Sequence, residues 1–295
     1  MFSFFDLKLQ PNLTPKEYCE SLTSPIKKLM TSEMFDHLEL LISQIMINNN
    51  VLAAPTIKID TESNSLAEGM HGVILIGSAF IDHCLSMQQS PHWDLIEPQP
   101  DEPDLRCPPN LFFLWSIAHE FFHGVRRHNT ALDQLDKNCE TYKAIEVDAD
   151  MCAAASIYRF AQHSLRQEYS DMTIRKLILS SVFWGLGQLP RHENSSETHP
   201  PLTQRIYHLF AKICHIRKNI YDPADPECAT PETQENTIYL SKFLVSCADQ
   251  YQKTNNDLLT FKPELIDIVK NKKWRPLVTE WEDIKGVVEN ASKHQ

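Results

Sequence analysis

Residues 111–128 read LFFLWSIAHEFFHGVRRH, and this stretch decides the fold. It is apolar on nearly all sides, which predicts a largely buried helix. His119 and His123 lie four residues apart, so a helix that advances about 100° per residue places both on one face. Two histidines so placed can hold one metal ion, or they can be buried and hydrogen-bonded without a metal. The short pattern H-E-x-x-H leaves both alternatives open.

A third ligand is needed to decide between them, because a catalytic zinc ion takes three protein ligands and keeps one open position. Glu146 is the best candidate, since it begins the stretch EVDAD on a second predicted helix, 23 residues after His123. Asp150 lies one helical turn beyond Glu146 and faces the same way, where it can orient a ligand imidazole. Asp148 is predicted to point to the opposite, solvated side.

Two further residues flank the histidine pair. Glu120 is offset from His119 by one residue, so its carboxylate lies beside a bound metal, where it can take a proton from an acidified water. His128 is nine residues after His119, about 180° around a continuous helix. It therefore reaches the same ion only if the helix ends before residue 128.

The rest of the chain predicts a mainly α protein of the α+β class, with a small β-sheet beside the helix of residues 111–128. PTIKID at residues 55–60 alternates in polarity, and GVILIGSAFI at residues 72–81 is a short apolar run. The second run is either a buried structural strand or an edge strand that pairs with an extended substrate. Gly69 and its neighbouring glycines predict a close approach of another backbone. Helical periodicity predicts one or two helices over residues 14–50 and several after residue 139.

The composition excludes some classes of function. A net charge of −11 argues against a nucleic-acid-binding protein. The eight cysteines form no C-x-x-C pair, which favours reduced thiols in a cytoplasmic protein. The first ten residues, MFSFFDLKLQ, show no leader, and no run of about 18 apolar residues predicts a membrane span.

Several separated motifs follow one another in a recognisable order. HEFFH stands at residues 119–123, a histidine at 128, E-x-x-x-D at 146–150 and THPPLTQRI at 198–206. This order resembles the gluzincin metallopeptidases of the CAAX prenyl protease 1 / HtpX type, over about residues 52–215. Those relatives are often membrane-embedded, whereas this chain shows no spanning segment. Among soluble relatives, the layout is closest to the Lit-like phage-exclusion proteases.

The resemblance implies one zinc ion per chain with three protein ligands. These ligands are His119, His123 and Glu146. Glu120 is implied as the general base, and Asp150 as the residue that orients a ligand. His199 and Arg205 are implied to contact the substrate and the developing oxyanion, which needs a hydrogen-bonding or cationic donor.

The resemblance also implies three parts of the chain and a function. The parts are an N-terminal helical segment at 1–50, a zincin-like catalytic core at 51–220 and a C-terminal helical segment at 221–295 packed on the core. The function is a soluble zinc endopeptidase of narrow specificity. Lit-like proteases are bacterial and cleave translation elongation factor Tu when a phage peptide is present. This implies a protein substrate such as a translation factor, and an activating peptide or protein. The alternatives are a general quality-control metallopeptidase and a non-catalytic zinc-fold regulatory or binding protein.

Overall fold

The described part of the chain is mainly helical and contains one three-stranded β-sheet, which confirms the predicted fold class. The computed structural model describes residues 12–62, 66–70, 72–87, 90–97, 99–103, 110–189, 198–216, 230–255, 261–273 and 275–293. The prediction that no leader is present concerns the first ten residues, which lie outside these ranges.

The helices of the described residues follow the predicted periodicity. They are α1 (Pro15–Ser21), α2 (Pro25–Asn49), α3 (Ser78–Ser86), α4 (Leu111–Val125), α5 (His128–Leu132), α6 (Cys139–Leu165), α7 (Asp171–Gln188), α8 (Leu202–His215), α9 (Pro231–Asn255), α10 (Phe261–Lys270) and α11 (Arg275–Ser292). Among them, none combines the length and the apolar character that crossing a bilayer requires.

The sheet consists of β1 (Thr56–Asp60), β2 (Ala67–Met70) and β3 (Val73–Gly77), in the order β1-β3-β2. β3 pairs in parallel with β1 and antiparallel with β2. The run at residues 72–81 is therefore a central strand that passes into α3, and its interpretation as an edge strand is wrong. The edge nearest to α4 is β2.

α4 is the buried centre of the fold. Its first turn is capped by Asn110, whose side chain accepts a hydrogen bond from the Phe113 N–H at 3.2 Å and donates one to the Cys84 carbonyl at 2.6 Å. The helix ends at Val125, because Arg127 adopts a left-handed conformation with φ of 51°. The chain turns back at this point and begins α5.

α6 packs along α4, and small side chains allow the two helices to approach closely. Ala149, Ala153 and Ala154 are fully buried on α6. α11 packs on α6 and also contacts α5. α4 and α6 are thereby held at a fixed separation, which is what a site shared between them requires.

Candidate metal centre

Two imidazoles converge at the C-terminal end of α4. The Nε2 atoms of His119 and His123 lie 3.2 Å apart, as the four-residue spacing predicts. His119 is 5% exposed. Two ring nitrogens that face each other inside a protein need either a shared proton or a shared cation.

Glu146 on α6 completes a group of three ligand atoms. Its Oε2 lies 3.2 Å from His119 Nε2, and its Oε1 lies 3.5 Å from His123 Nε2. Tetrahedral zinc with bonds of about 2.0–2.1 Å separates its ligand atoms by about 3.3 Å, so these distances fit such an ion. Within the described residues, this is the group of His, Cys, Asp and Glu side chains that could hold a metal ion.

The carboxylate of Glu146 is itself arranged for a cation. Its Oε2 is buried and accepts no well-oriented hydrogen bond from the described residues. Two imidazole nitrogens nevertheless approach this oxygen, His119 Nε2 at 3.2 Å and His199 Nε2 at 3.1 Å. Poorly oriented contacts leave a buried oxygen incompletely satisfied, and a metal ion would satisfy it.

Asp150 supports His119 from behind. Its Oδ1 lies 2.8 Å from His119 Nδ1. Arg205 on α8 donates to the same carboxylate from Nε at 2.8 Å and from Nη2 at 2.7 Å, and its guanidinium also lies 5.4 Å from the centre of the Trp115 ring. Burial alone would raise the pKa of Asp150, but Arg205 outweighs it and lowers the pKa to about 2. Asp150 is therefore a permanent anion, which keeps the Nδ1 proton of His119 in place.

Glu120 lies beside the three ligand atoms and contacts the sheet. Its Oε2 accepts a hydrogen bond from the backbone N–H of Gly69 on β2 at 2.8 Å. A side chain at residue 69 would place its Cβ 2.9 Å from the Glu120 backbone oxygen, so the predicted close approach of another backbone is confirmed. Burial raises the pKa of Glu120, although the His119 charge and the Gly69 N–H oppose the rise. A carboxylate with a raised pKa accepts a proton more readily than an ordinary one.

His199 stands at the outer side of the group, with 36% of its side chain exposed. The seven side chains that the sequence singles out thus lie in one region: His119, Glu120, His123, Glu146, Asp150, His199 and Arg205. Arg205 lies against Asp150, behind His119, and its Nε and Nη2 atoms both donate to the Asp150 carboxylate.

The comparison with protein families agrees with this geometry. Residues 45–221, more than half of the chain, match the family Peptidase U49. The chain belongs to the Peptidase U49 family. All seven residues of the site lie inside the matched range. Neither the curated proteins nor the solved structures include a match to the chain.

Membership of Peptidase U49 makes the protein a peptidase, a hydrolase that acts on protein substrates. The possible metal site of this U49 peptidase lies where the motifs HEFFH and E-x-x-x-D meet.

Sequence reasoning missed two residues of the U49 peptidase site. Asp148 was expected in solvent, and that expectation is wrong: its side chain is 9% exposed, and its Oδ2 accepts from Arg126 Nε at 2.9 Å. The same oxygen lies 3.0 Å from His128 Nε2, and His128 Nδ1 lies 2.9 Å from His123 Nδ1. Because α4 ends at Val125, His128 lies against Nδ1 of His123 and not beside its Nε2, which faces His119. The sequence signal for this contact is His128 itself, whose position depends on where α4 ends.

Proposed function

We propose that this U49 peptidase is a zinc-dependent endopeptidase of narrow specificity, and that His119, His123 and Glu146 hold the zinc ion. The observation that supports the proposal is the approach of the three side chains: the two imidazole Nε2 atoms lie 3.2 Å apart, and each lies 3.2 or 3.5 Å from an oxygen of the Glu146 carboxylate. An aspartate behind His119 adds further support, because imidazole ligands of zinc usually donate their other N–H to such a partner. When bound, zinc would polarise the peptide carbonyl as a Lewis acid and make a nearby water acidic.

Glu120 is the general base in this proposal. Its carboxylate takes a proton from the attacking water, and after the carbonyl carbon has become tetrahedral it passes the proton to the leaving amine. The position of Glu120 suits this double role, because it follows His119 directly on α4 and its carboxylate is held by the Gly69 N–H at 2.8 Å. Gly69 holds one carboxylate oxygen, which leaves the other oxygen to face the water.

His199 is the proposed donor to the oxyanion. It is the outermost of the seven residues and lies 3.1 Å from Glu146, so it can turn toward a carbonyl oxygen that arrives beside the ligands. We assign Arg205 a positioning role through Asp150 and His119, because its guanidinium lies against that carboxylate. A direct contact of Arg205 with the oxyanion stays a prediction from the resemblance.

The narrow specificity rests on the resemblance to Lit-like phage-exclusion proteases. On this proposal the protein works in the cytoplasm and cleaves one protein substrate, such as a translation factor, in response to an activating peptide or protein. A quality-control peptidase would instead cleave many unfolded proteins, and a non-catalytic zinc protein would cleave none.

The test compares the wild type with Glu120→Gln, which keeps the ligands and removes the base. Both proteins are analysed for zinc and are then incubated with a bacterial lysate, with and without phage infection, and new N-termini are read by mass spectrometry. We expect one zinc per chain in both, and cleavage reduced by about 10²–10⁴-fold in the variant. Glu140→Gln, an exposed glutamate on α6 paired with Lys143, is the control and should cleave like the wild type.

Three results would contradict parts of the proposal. Absence of zinc from the wild type would remove the metal centre. Zinc without new N-termini under either condition would favour a regulatory protein. New N-termini in a broad set of proteins would exclude narrow specificity.

A further inference from the structure

The inference concerns the outer nitrogen of His123 and rests on the proposed metal centre. A neutral imidazole carries one proton, so His123 can offer Nε2 to a metal only if the proton is on Nδ1. That Nδ1 lies 2.9 Å from the Nδ1 of His128. Two protonated nitrogens cannot face each other at this distance, and His128 Nδ1 must therefore be the acceptor.

The tautomer of His128 is fixed from its other side. His128 Nε2 lies 3.0 Å from Asp148 Oδ2. A carboxylate can only accept, so the His128 proton is on Nε2 and its Nδ1 is free to accept from His123. Arg126 donates to the same Asp148 oxygen at 2.9 Å and favours the ionised carboxylate. The direction of every hydrogen bond in the chain Asp148–His128–His123 is then determined.

We propose that Asp148 and His128 are positioning residues, which fix the tautomer and the ring orientation of the metal ligand His123. They do for His123 what Asp150 does for His119. The two carboxylates are two residues apart on α6, one for each histidine of α4. The difference is that Asp150 lies 2.8 Å from its imidazole, whereas Asp148 acts through a second imidazole.

The arrangement is costly to build for packing alone. His128 is fully buried, and an apolar side chain would fill its place without a polar group to satisfy. The left-handed Arg127 that turns His128 back toward α4 adds a conformational cost, because its φ of 51° is unfavourable for a residue with a Cβ. His128 is not itself a ligand, since its nearer nitrogen faces Nδ1 of His123 and the possible ion lies on the Nε2 side.

Two substitutions separate the hydrogen bond from the packing. His128→Phe keeps a planar ring but removes the acceptor. His128→Asn removes the ring but keeps an oxygen at the position of Nδ1. Asp133→Asn is the matched control, because it removes an exposed carboxylate near the same turn, which pairs with Lys137 at the surface.

The measurement is the zinc affinity of the full chain, determined by competition with a coloured chelator, together with the melting temperature of the metal-free protein. We expect His128→Phe to weaken zinc binding by about 10–100-fold and His128→Asn to restore it to within about threefold of the wild type. Asp148→Asn should fall between the wild type and His128→Phe, and Asp133→Asn should match the wild type.

The outcomes are distinct. If folded His128→Phe binds zinc as tightly as the wild type, or if His128→Asn is as weak as His128→Phe, the positioning role is wrong while the metal centre stands. If His128→Phe does not fold, Asp148→Asn decides: unchanged affinity refutes the role, and weakened affinity supports it. If the wild type itself binds no zinc, the proposed function fails, and this inference fails with it.

Discussion

Replacing Arg205 by methionine tests whether the Arg205–Asp150 pair behind the proposed metal centre stabilises the protein. Arg205 is 7% exposed and Asp150 is 1% exposed, and two hydrogen bonds of 2.8 and 2.7 Å join them. Removing one partner of a buried ion pair typically costs about 3–5 kcal/mol, because the other charge is left without compensation. His119 Nδ1 remains 2.8 Å from Asp150 and offsets part of this loss. We therefore expect the lower end of the range, a loss of about 3 kcal/mol.

The assay is urea unfolding of the metal-free protein at pH 7, followed by fluorescence, for four proteins of a double-mutant cycle. Asp150→Asn alone should also be strongly destabilised, because it leaves the guanidinium buried. The double variant has neither charge and should lose less free energy of unfolding than the sum of the single losses. Lys137→Met, which breaks an exposed pair with Asp133, serves as the control and should unfold like the wild type.

Two results would refute this reasoning. One is a loss below about 1 kcal/mol for Arg205→Met, which would be the value of an exposed pair. The other is strict additivity in the cycle, which would mean that the two side chains do not act together. Either result would reopen the role of Arg205 as a direct donor to the oxyanion.

Two further predictions concern the sheet and the core. Gly69→Ala places a Cβ 2.9 Å from the backbone oxygen of Glu120 and 3.3 Å from its Oε2, so Glu120 must shift. We expect the variant to have a normal zinc content but to cleave the identified substrate more slowly, by up to about 10²-fold. Unchanged cleavage would contradict the importance of this contact. Burial lowers the pKa of His92 to about 3 from 6.5, and neither ring nitrogen has a hydrogen-bond partner among the described residues. The unfolded chain therefore binds the proton first, and stability falls as the pH drops below about 6.5. Between pH 7 and pH 5 this histidine should lower the free energy of unfolding of the wild type by about 2 kcal/mol, and His92→Phe should not show that part of the loss. If the stability of His92→Phe depends on pH as that of the wild type does, His92 is not the cause.

The juxtaposition of the proposed ligands follows from local rules that can be applied to the sequence. His119 and His123 share a face because α4 is a regular helix, and Glu146 and Asp150 share a face of α6 for the same reason. The packing of α6 on α4 was suggested by its alanines. Each shared face depends on the spacing of residues within a single helix. Only the packing of α6 on α4 joins the two helices, and the small alanine side chains make that packing possible.

The missed features depend on where the chain bends and on what packs beside each helix. Asp148 does point away from Glu146, but that side is occupied by Arg126 and His128 because Arg127 reverses the chain. A left-handed arginine is not visible in a helical periodicity. The edge strand was missed for a different reason, since the short β2, AEGM, lacks the continuous apolar run that marks β3.

The position of α11 has a consequence for the smallest active fragment. The family match ends at residue 221, but α11 covers Ala131 of α5 and Ile145 of α6. Ser292 also donates to the carbonyl of Arg126, in the turn that carries His128 back to His123. A fragment cut at the end of the family similarity would expose this apolar surface and release the turn. We therefore expect the smallest fragment that keeps the shape of the site to extend beyond the part of the chain that matches the family.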